Sequence, residues 1–190
     1  MDLVRSRIEE SIAVKQKILA SDDILNQIKE ISDVINESLS KGGKVLLCGN
    51  GGSASDAMHI AGELVGRFQM ERKGVPAIAL NGDVTSVTSI SNDYGYENVF
   101  ARMADALMDE KDVLIGISTS GNSHNVYNAI LKAKEIGGKT VALLGKDGGT
   151  IKDVADIPLI VPSDCTARIQ ESHIMIGHII CEVVEKENAK

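Results

Sequence analysis

Apolar residues recur at helical spacing through residues 2–40: Leu3, Ile8, Ile12, Ile18 and Leu19, then Ile24, Leu25, Ile28, Ile31, Ile35 and Leu39. This spacing predicts two helices, with a break and a fresh start at Ser21-Asp22-Asp23 and an end at Gly42-Gly43. From Lys44 onward the pattern changes, and short apolar runs alternate with helical stretches. Val45–Cys48, Ala77–Leu80, Val113–Ile117, Thr140–Leu144 and Ile157–Ile160 predict strands. Helices are predicted over roughly 54–67, 84–91, 97–107, 123–136, 148–154 and 167–187. Such alternation is the signature of an α/β fold, a parallel sheet wrapped by helices. No low-complexity tract, internal repeat or domain linker interrupts it, so residues 1–190 read as a single domain. Within it, residues 1–41 form N-terminal helices and 44–187 a sheet-and-helix core. The two leading helices precede the first strand and are therefore not crossovers. They either cover one sheet face or supply an oligomer interface, and the interface is the favoured expectation.

Charge narrows the partners. The net charge is −7, and Lys and Arg are scattered rather than clustered, which argues against a nucleic-acid backbone as ligand. The N-terminus is charged and periodic, without the uninterrupted apolar core of a signal peptide. No run approaches the roughly 18 apolar residues of a membrane span. Cys48, Cys165 and Cys181 are odd in number and widely spaced, matching neither a disulfide framework nor a zinc CxxC pattern. The expectation is a cytoplasmic protein without a membrane partner, whose Cys48 and Cys181 are inert core residues.

Chemistry concentrates after the first strand, in Val45 to Arg67. Gly49, Gly51 and Gly52 permit backbone angles that side chains forbid and let a ligand approach the main chain. Ser53 or Ser55 is predicted to cap the next helix, whose N-terminus suits an anion. A second such loop, Ser118-Thr119-Ser120-Gly121-Asn122-Ser123, follows the strand at 113–117. Three hydroxyls, a glycine and a helix start offer donors to a phosphate without any lysine. In open parallel sheets ligands collect beyond the carboxyl ends of strands, where chain order reverses. If these two strands are neighbours, both loops face one pocket.

Gly49-x-Gly51-x-x-Ala54 also satisfies the dinucleotide fingerprint. The acid expected about 20 residues on is not cleanly placed, Asp83 being rather late, and Asn50 with the serines suits one sugar phosphate better. His59 and Glu63 are four residues apart and share a helical face, amid Ala57, Met58, Ile60, Ala61, Leu64 and Val65. A carboxylate in such company needs a partner or a metal. The last helix adds Gln170, His173 and His178. On an apolar stretch His178 has the ordinary reading of a satisfied core histidine. Gln170 and His178 are eight residues apart, a rise of about 12 Å. One metal reaches both only if the side chains lean together or come from different subunits.

Four segments in order, Cys48-Gly-Asn-Gly-Gly-Ser-Ala-Ser-Asp-Ala-Met-His-Ile-Ala-Gly-Glu63, Ser91-Asn-Asp-Tyr-Gly-Tyr96, Ser118-Thr-Ser-Gly-Asn-Ser123 and Arg168-Ile-Gln-Glu-Ser-His173, resemble the phosphoheptose isomerases of the sugar-isomerase (SIS) domain family. The resemblance spans essentially the whole chain. It implies a flavodoxin-like five-stranded parallel sheet and a homotetramer with active sites at subunit interfaces. It also implies one zinc ion per subunit, held by His59, Glu63, Gln170 and His178. Substrate contacts would fall on Asn50, Gly51, Gly52, Ser53, Glu63, Asn92, Asp93, Ser118, Thr119, Ser120, Ser123 and Gln170, with Arg67 adding charge to the pocket. One departure is Ala167, where many relatives carry Asp.

The implied reaction converts sedoheptulose 7-phosphate to D-glycero-D-manno-heptose 7-phosphate through an enediol, the first step toward bacterial nucleotide-activated heptose. Glu63 is then the catalytic base and His178 its acid partner. Two rival readings are a non-catalytic SIS protein that binds a replication initiator, and an isomerase of another phosphosugar. The joint presence of His59, Glu63, Gln170 and His178 favours an enzyme over the first rival, while the motifs fix phosphate and carbonyl chemistry better than they fix carbon count.

Overall fold

The computed structural model describes residues 1–189. Two helices lead the chain, α1 (Asp2–Leu19) and α2 (Asp22–Ser40). The predicted restart is real: Ser21 caps α2, its hydroxyl accepting from the N–H of Ile24 at 3.4 Å. The sheet contains β1 (Val45–Gly49), β2 (Ala77–Ala79), β3 (Val113–Ser118), β4 (Lys139–Leu144) and β5 (Ile157–Ile160). The remaining helices are α3 (Gly52–Val65), α4 (Val84–Tyr94), α5 (Val99–Leu107), α6 (His124–Ile136) and α7 (Thr166–Asn188).

All five strands are parallel, in the order β2-β1-β3-β4-β5. This is the flavodoxin-like order, whose reversal lies between β1 and β3. Val45 pairs with Val113 and Gly49 with Ile117, so the loops after β1 and β3 leave the sheet side by side. The expected neighbourhood of the two loops is therefore met.

β1 and β3 are buried at every position, which is why they read as unbroken apolar runs rather than alternating ones. Their side chains divide between two cores. Val45, Leu47, Val113, Ile115 and Ile117 face α2, α3 and α7, while Leu46, Cys48 and Leu114 face α5 and α6. α2 covers the first face with Ile28, Ile31 and Ile35. α1 buries only Val14 and Ile18 and leaves Leu3, Val4, Ile8 and Ile12 exposed. The leading helices thus divide the two expected roles: α2 covers the sheet, and α1 presents an uncovered apolar face.

Departures from the sequence pattern include two with a clear local cause. Leu80 leaves β2 for a single 3-10 turn, Leu80–Gly82, and the side chain of Asn81 continues the ladder instead, giving and taking a bond with the main chain of Gly49 (2.7 and 3.2 Å). The predicted helix at 148–154 is only one 3-10 turn, Ile151–Asp153, because Gly148 and Gly149 adopt positive φ (84° and 53°) ahead of it. Among the described residues no helix is long and apolar enough to cross a membrane.

Candidate active site

The β1–α3 loop turns on Gly51, whose φ of 57° with ψ of −120° is open to glycine and costly for other residues. Gly51 is also the N-cap of α3, and no side chain caps that helix. The expected serine cap is absent, since Ser53 is buried within the first turn and the Ser55 hydroxyl points back to the Gly51 carbonyl at 3.5 Å. The positive end of the α3 dipole is thereby left to a ligand.

Asn50 ties this loop to the rest of the site. Its amide exchanges two hydrogen bonds with Asn125 (2.8 and 2.9 Å) and accepts a third from the Tyr96 hydroxyl at 2.7 Å. Asn125 is buried in the first turn of α6, so the start of the helix after β3 holds the loop after β1. In the β3–α6 loop the hydroxyls of Ser118 and Ser123 bond each other at 2.9 Å, and Ser120 accepts from the N–H of Asn122 at 3.2 Å. Thr119 and Ser120 are half-buried between them. Asn92 and Asp93 stand exposed on the last turn of α4, bonded to each other at 2.9 Å.

A second cluster lies along α3 and α7. Nε2 of His59 is 3.1 Å from Oε1 of Glu63 and 3.3 Å from Nε2 of His178. One ligand atom from each residue lies within 4.8 Å of the others, a spacing that admits a metal ion. Two zinc-bound atoms at about 2.0–2.1 Å from a tetrahedral ion stand roughly 3.3 Å apart. The observed separations fit that value. The donor set fits as well, because two imidazole nitrogens that face each other need a shared proton or a cation between them. His178 is half-exposed here and no core histidine.

Gln170 sits nearer the start of α3. Its amide lies against Gly52, where an added Cβ would collide with it, while His178 faces His59, two turns farther along α3. Arg67 points outward, its side chain 67% exposed and 3.7 Å from Glu71.

The partners of Asn50 were not singled out from the sequence, although Tyr96 closes one of the segments that carry the resemblance. Asn125 and Tyr96 lie outside the glycine and serine loops, and only the folded chain puts them on Asn50. Asp56 is different, since it shares the helical phase of His59 and Glu63 and could have been found. One of its carboxylate oxygens is buried without a partner. Burial pushes its pKa above the ordinary carboxylate range, opposed by nearby His59.

Comparison with known proteins extends this picture. The SIS domain family model matches residues 9–145, most of the chain. The chain belongs to the SIS domain family. A phosphoheptose isomerase of Clostridium acetobutylicum is 53% identical over 98% of this chain and 95% of its own length. Two solved structures of phosphoheptose isomerases share the fold of this SIS chain at 39% identity. The Francisella tularensis protein has a TM-score of 0.93, covering 97% of both chains. The Neisseria gonorrhoeae protein has a TM-score of 0.91, covering 97% of this chain and 98% of its own.

Proposed function

We propose that this SIS protein is an isomerase converting sedoheptulose 7-phosphate to D-glycero-D-manno-heptose 7-phosphate, the step that feeds bacterial nucleotide-activated heptose. The observation that carries the reading is the convergence of His59, Glu63 and His178 on one point, in a chain whose relatives bear the phosphoheptose isomerase name. The β1–α3 and β3–α6 loops take the phosphate and the sugar hydroxyls. Asn50, Gly51, Gly52 and Ser53 come from the first loop and Ser118, Thr119, Ser120 and Ser123 from the second. Asn92, Asp93 and Arg67 complete the substrate set.

Moving a carbonyl from C2 to C1 removes a proton from C1 and returns one to C2 through an enediol. Glu63 is the base that carries this proton, and His178 moves the proton between the two oxygens. His59 holds the Glu63 carboxylate in place by the 3.1 Å contact. A zinc ion held by His59, Glu63 and His178 would polarise the carbonyl and stabilise negative charge on oxygen. Gln170 contacts substrate beside Gly52. Its role as a metal ligand, with His178 eight residues away, takes either side chains that lean together or a second copy of the chain.

That second copy belongs to a homotetramer with active sites at subunit interfaces. Exposed apolar residues surround the cluster on both helices: Met58 and Val65 on α3, Ile179 and Val183 on α7. Such a face is suited to another protein surface.

The deciding experiment follows aldose formation from sedoheptulose 7-phosphate by proton NMR, with and without added zinc. Glu63→Gln is expected to lower kcat by about 10²–10⁴-fold while leaving assembly intact. Retained turnover in that variant removes Glu63 from the chemistry. A nitrogen bound to metal cannot also pass a proton, so zinc stimulation assigns His178 to the metal and zinc inhibition assigns it to proton transfer. No turnover by the folded wild type under either condition moves the assignment to another phosphosugar.

A further inference from the structure

The irregular segment Gly66–Gly74, between α3 and β2, carries one partner of a buried ion pair. Arg72 in this segment and Glu185 on α7 are each 1% exposed, and their Nε and Oε1 atoms are 3.2 Å apart. Glu185 accepts three successive backbone N–H groups, from Phe68 (2.9 Å), Gln69 (2.7 Å) and Met70 (3.0 Å). Arg72 donates to the carbonyls of Glu63 (2.9 Å), Leu64 (2.9 Å), Gly66 (3.1 Å) and Lys73 (3.1 Å). Both charges are thus directed at main chain, of the segment and of the last turn of α3. That turn ends in carbonyls without helical partners, at the negative end of the dipole, where a guanidinium is favoured.

The segment reaches the active site at two points. Arg72 holds the backbone carbonyl of Glu63 itself. Phe68, whose N–H is fixed by Glu185, stacks on His178 with ring centroids 5.4 Å apart and planes inclined by 25°. His178 also meets His59 at a steep angle, with centroids 5.0 Å apart. His178 is therefore in contact with two rings, one of them set by the buried pair. A buried ion pair adds little net stability over apolar residues of like volume, because desolvation offsets the attraction. Fixed geometry is what such a pair supplies, and here the fixed atoms lead to Glu63 and His178.

We infer that the buried Arg72–Glu185 pair, acting through the main chain of Gly66–Gly74 and the ring of Phe68, positions Glu63 and His178 for proton transfer. This rests on the acid–base roles proposed above for those two residues. Arg72, Glu185 and Phe68 are positioning residues: they act through the main chain of α3 and the ring of His178.

The test uses the full-length protein, with Phe68→Leu as the first variant because it leaves the buried pair untouched. Its kcat is expected to fall about tenfold, with KM for sedoheptulose 7-phosphate changed less than about twofold, in the range typical of groups that orient a site from behind. The protein has four histidines, so labelled imidazole spectra are tractable. The His178 resonances should move, while those of buried His173 and of His124 stay. Phe68→Tyr should restore both kcat and the spectrum. Arg72→Lys keeps the charge but loses the planar fork, and should give the same loss in kcat and the same movement of His178. Should Arg72→Lys not fold, Phe68→Leu still decides. Unchanged kcat together with unchanged His178 resonances in Phe68→Leu overturns the inference, as does lowered thermal stability with kcat intact. A fully active Glu63→Gln variant sinks the acid–base reading instead, and the His178 spectrum of Phe68→Leu then still reports whether the ring is held.

Discussion

His173 and His178 sit on one helix, yet they do opposite things. Five residues place them about 140° apart around α7. His173 turns inward, wholly buried, and its Nε2 bonds the carbonyl of Leu144 at 2.9 Å. A carbonyl only accepts, so Nε2 carries the proton, and the buried Nδ1 has no partner. Burial pushes the pKa of His173 down to about 4, the bond to Leu144 opposing. In the unfolded chain a histidine titrates near 6.5. Between those values the unfolded chain takes up a proton that the folded chain refuses, so stability rises with pH across the window. The contribution is complete above about pH 6.5 and is lost as pH falls toward 4, on the order of 3 kcal/mol in all. Urea unfolding of wild type and His173→Gln from pH 4 to 7 measures it, and the variant should show a flatter dependence. An equal slope in both would assign the acid sensitivity elsewhere. The same pair shows what the sequence could convey about single residues. His59 and Glu63 were legible because four residues put them on one helical face. His178 read as a core histidine because its neighbours are apolar; which of the two histidines meets the core depends on the phase of α7 against β4 and α3, and no local pattern encodes that. The cysteines followed their surroundings more simply: Cys48 and Cys181 are buried, and burial pushes both thiols up to about 12.

At the scale of elements, the strands were readable because β1 and β3 are buried on both faces, so their composition alone marks them. The adjacency of their loops also followed, as a condition that the sheet order then met. The clamp around those loops was not readable. Gly121 adopts φ of 68°, and a Cβ there would collide with the carbonyl of Gly148. The Gly121 carbonyl accepts from Ile151 at 3.0 Å, and the Asn122 side chain accepts from Thr150 at 3.1 Å. Two loops distant in sequence are thus pressed together, and the glycines at 148 and 149 that serve this contact are what cut the predicted helix at 148–154 to one turn. Gly121→Ala should separate the loops and disturb Ser118–Ser123. The expected cost is about 1–3 kcal/mol of stability, from strain at a positive-φ position. KM should rise while kcat changes little, because the altered loop holds substrate ahead of the chemistry. Steady-state kinetics on sedoheptulose 7-phosphate with thermal unfolding checks both, and an unchanged KM would separate this loop from substrate. Buried polar links such as Arg72–Glu185 and Asn50–Asn125 escaped the sequence for the same reason as the clamp. Their partners are 113 and 75 residues apart, and only the tertiary fold matches them.

At the scale of the whole molecule, α1 carries an apolar face that the described residues leave uncovered. On α1, Leu3, Val4, Ile8 and Ile12 are 65%, 61%, 56% and 49% exposed, although their spacing is that of a buried helical stripe. α1 meets the rest of the chain through Val14 and Ile18 of its C-terminal half, which enter the core, and through the Arg7 carbonyl, which accepts from Arg168 of α7 at 2.9 Å. A stripe left open in this way is a surface for another copy, and the homotetramer proposed above supplies one. Replacing Ile8 and Ile12 together by Glu places two carboxylates in that interface, while the core contacts of Val14 and Ile18 remain. The expected result is a species of lower mass by light scattering, with the circular dichroism of the folded chain retained. Activity should fall with the mass, since the site proposed above draws on a second copy. Unchanged mass would remove α1 from the interface. Lower mass with full turnover would show that one chain holds a complete site.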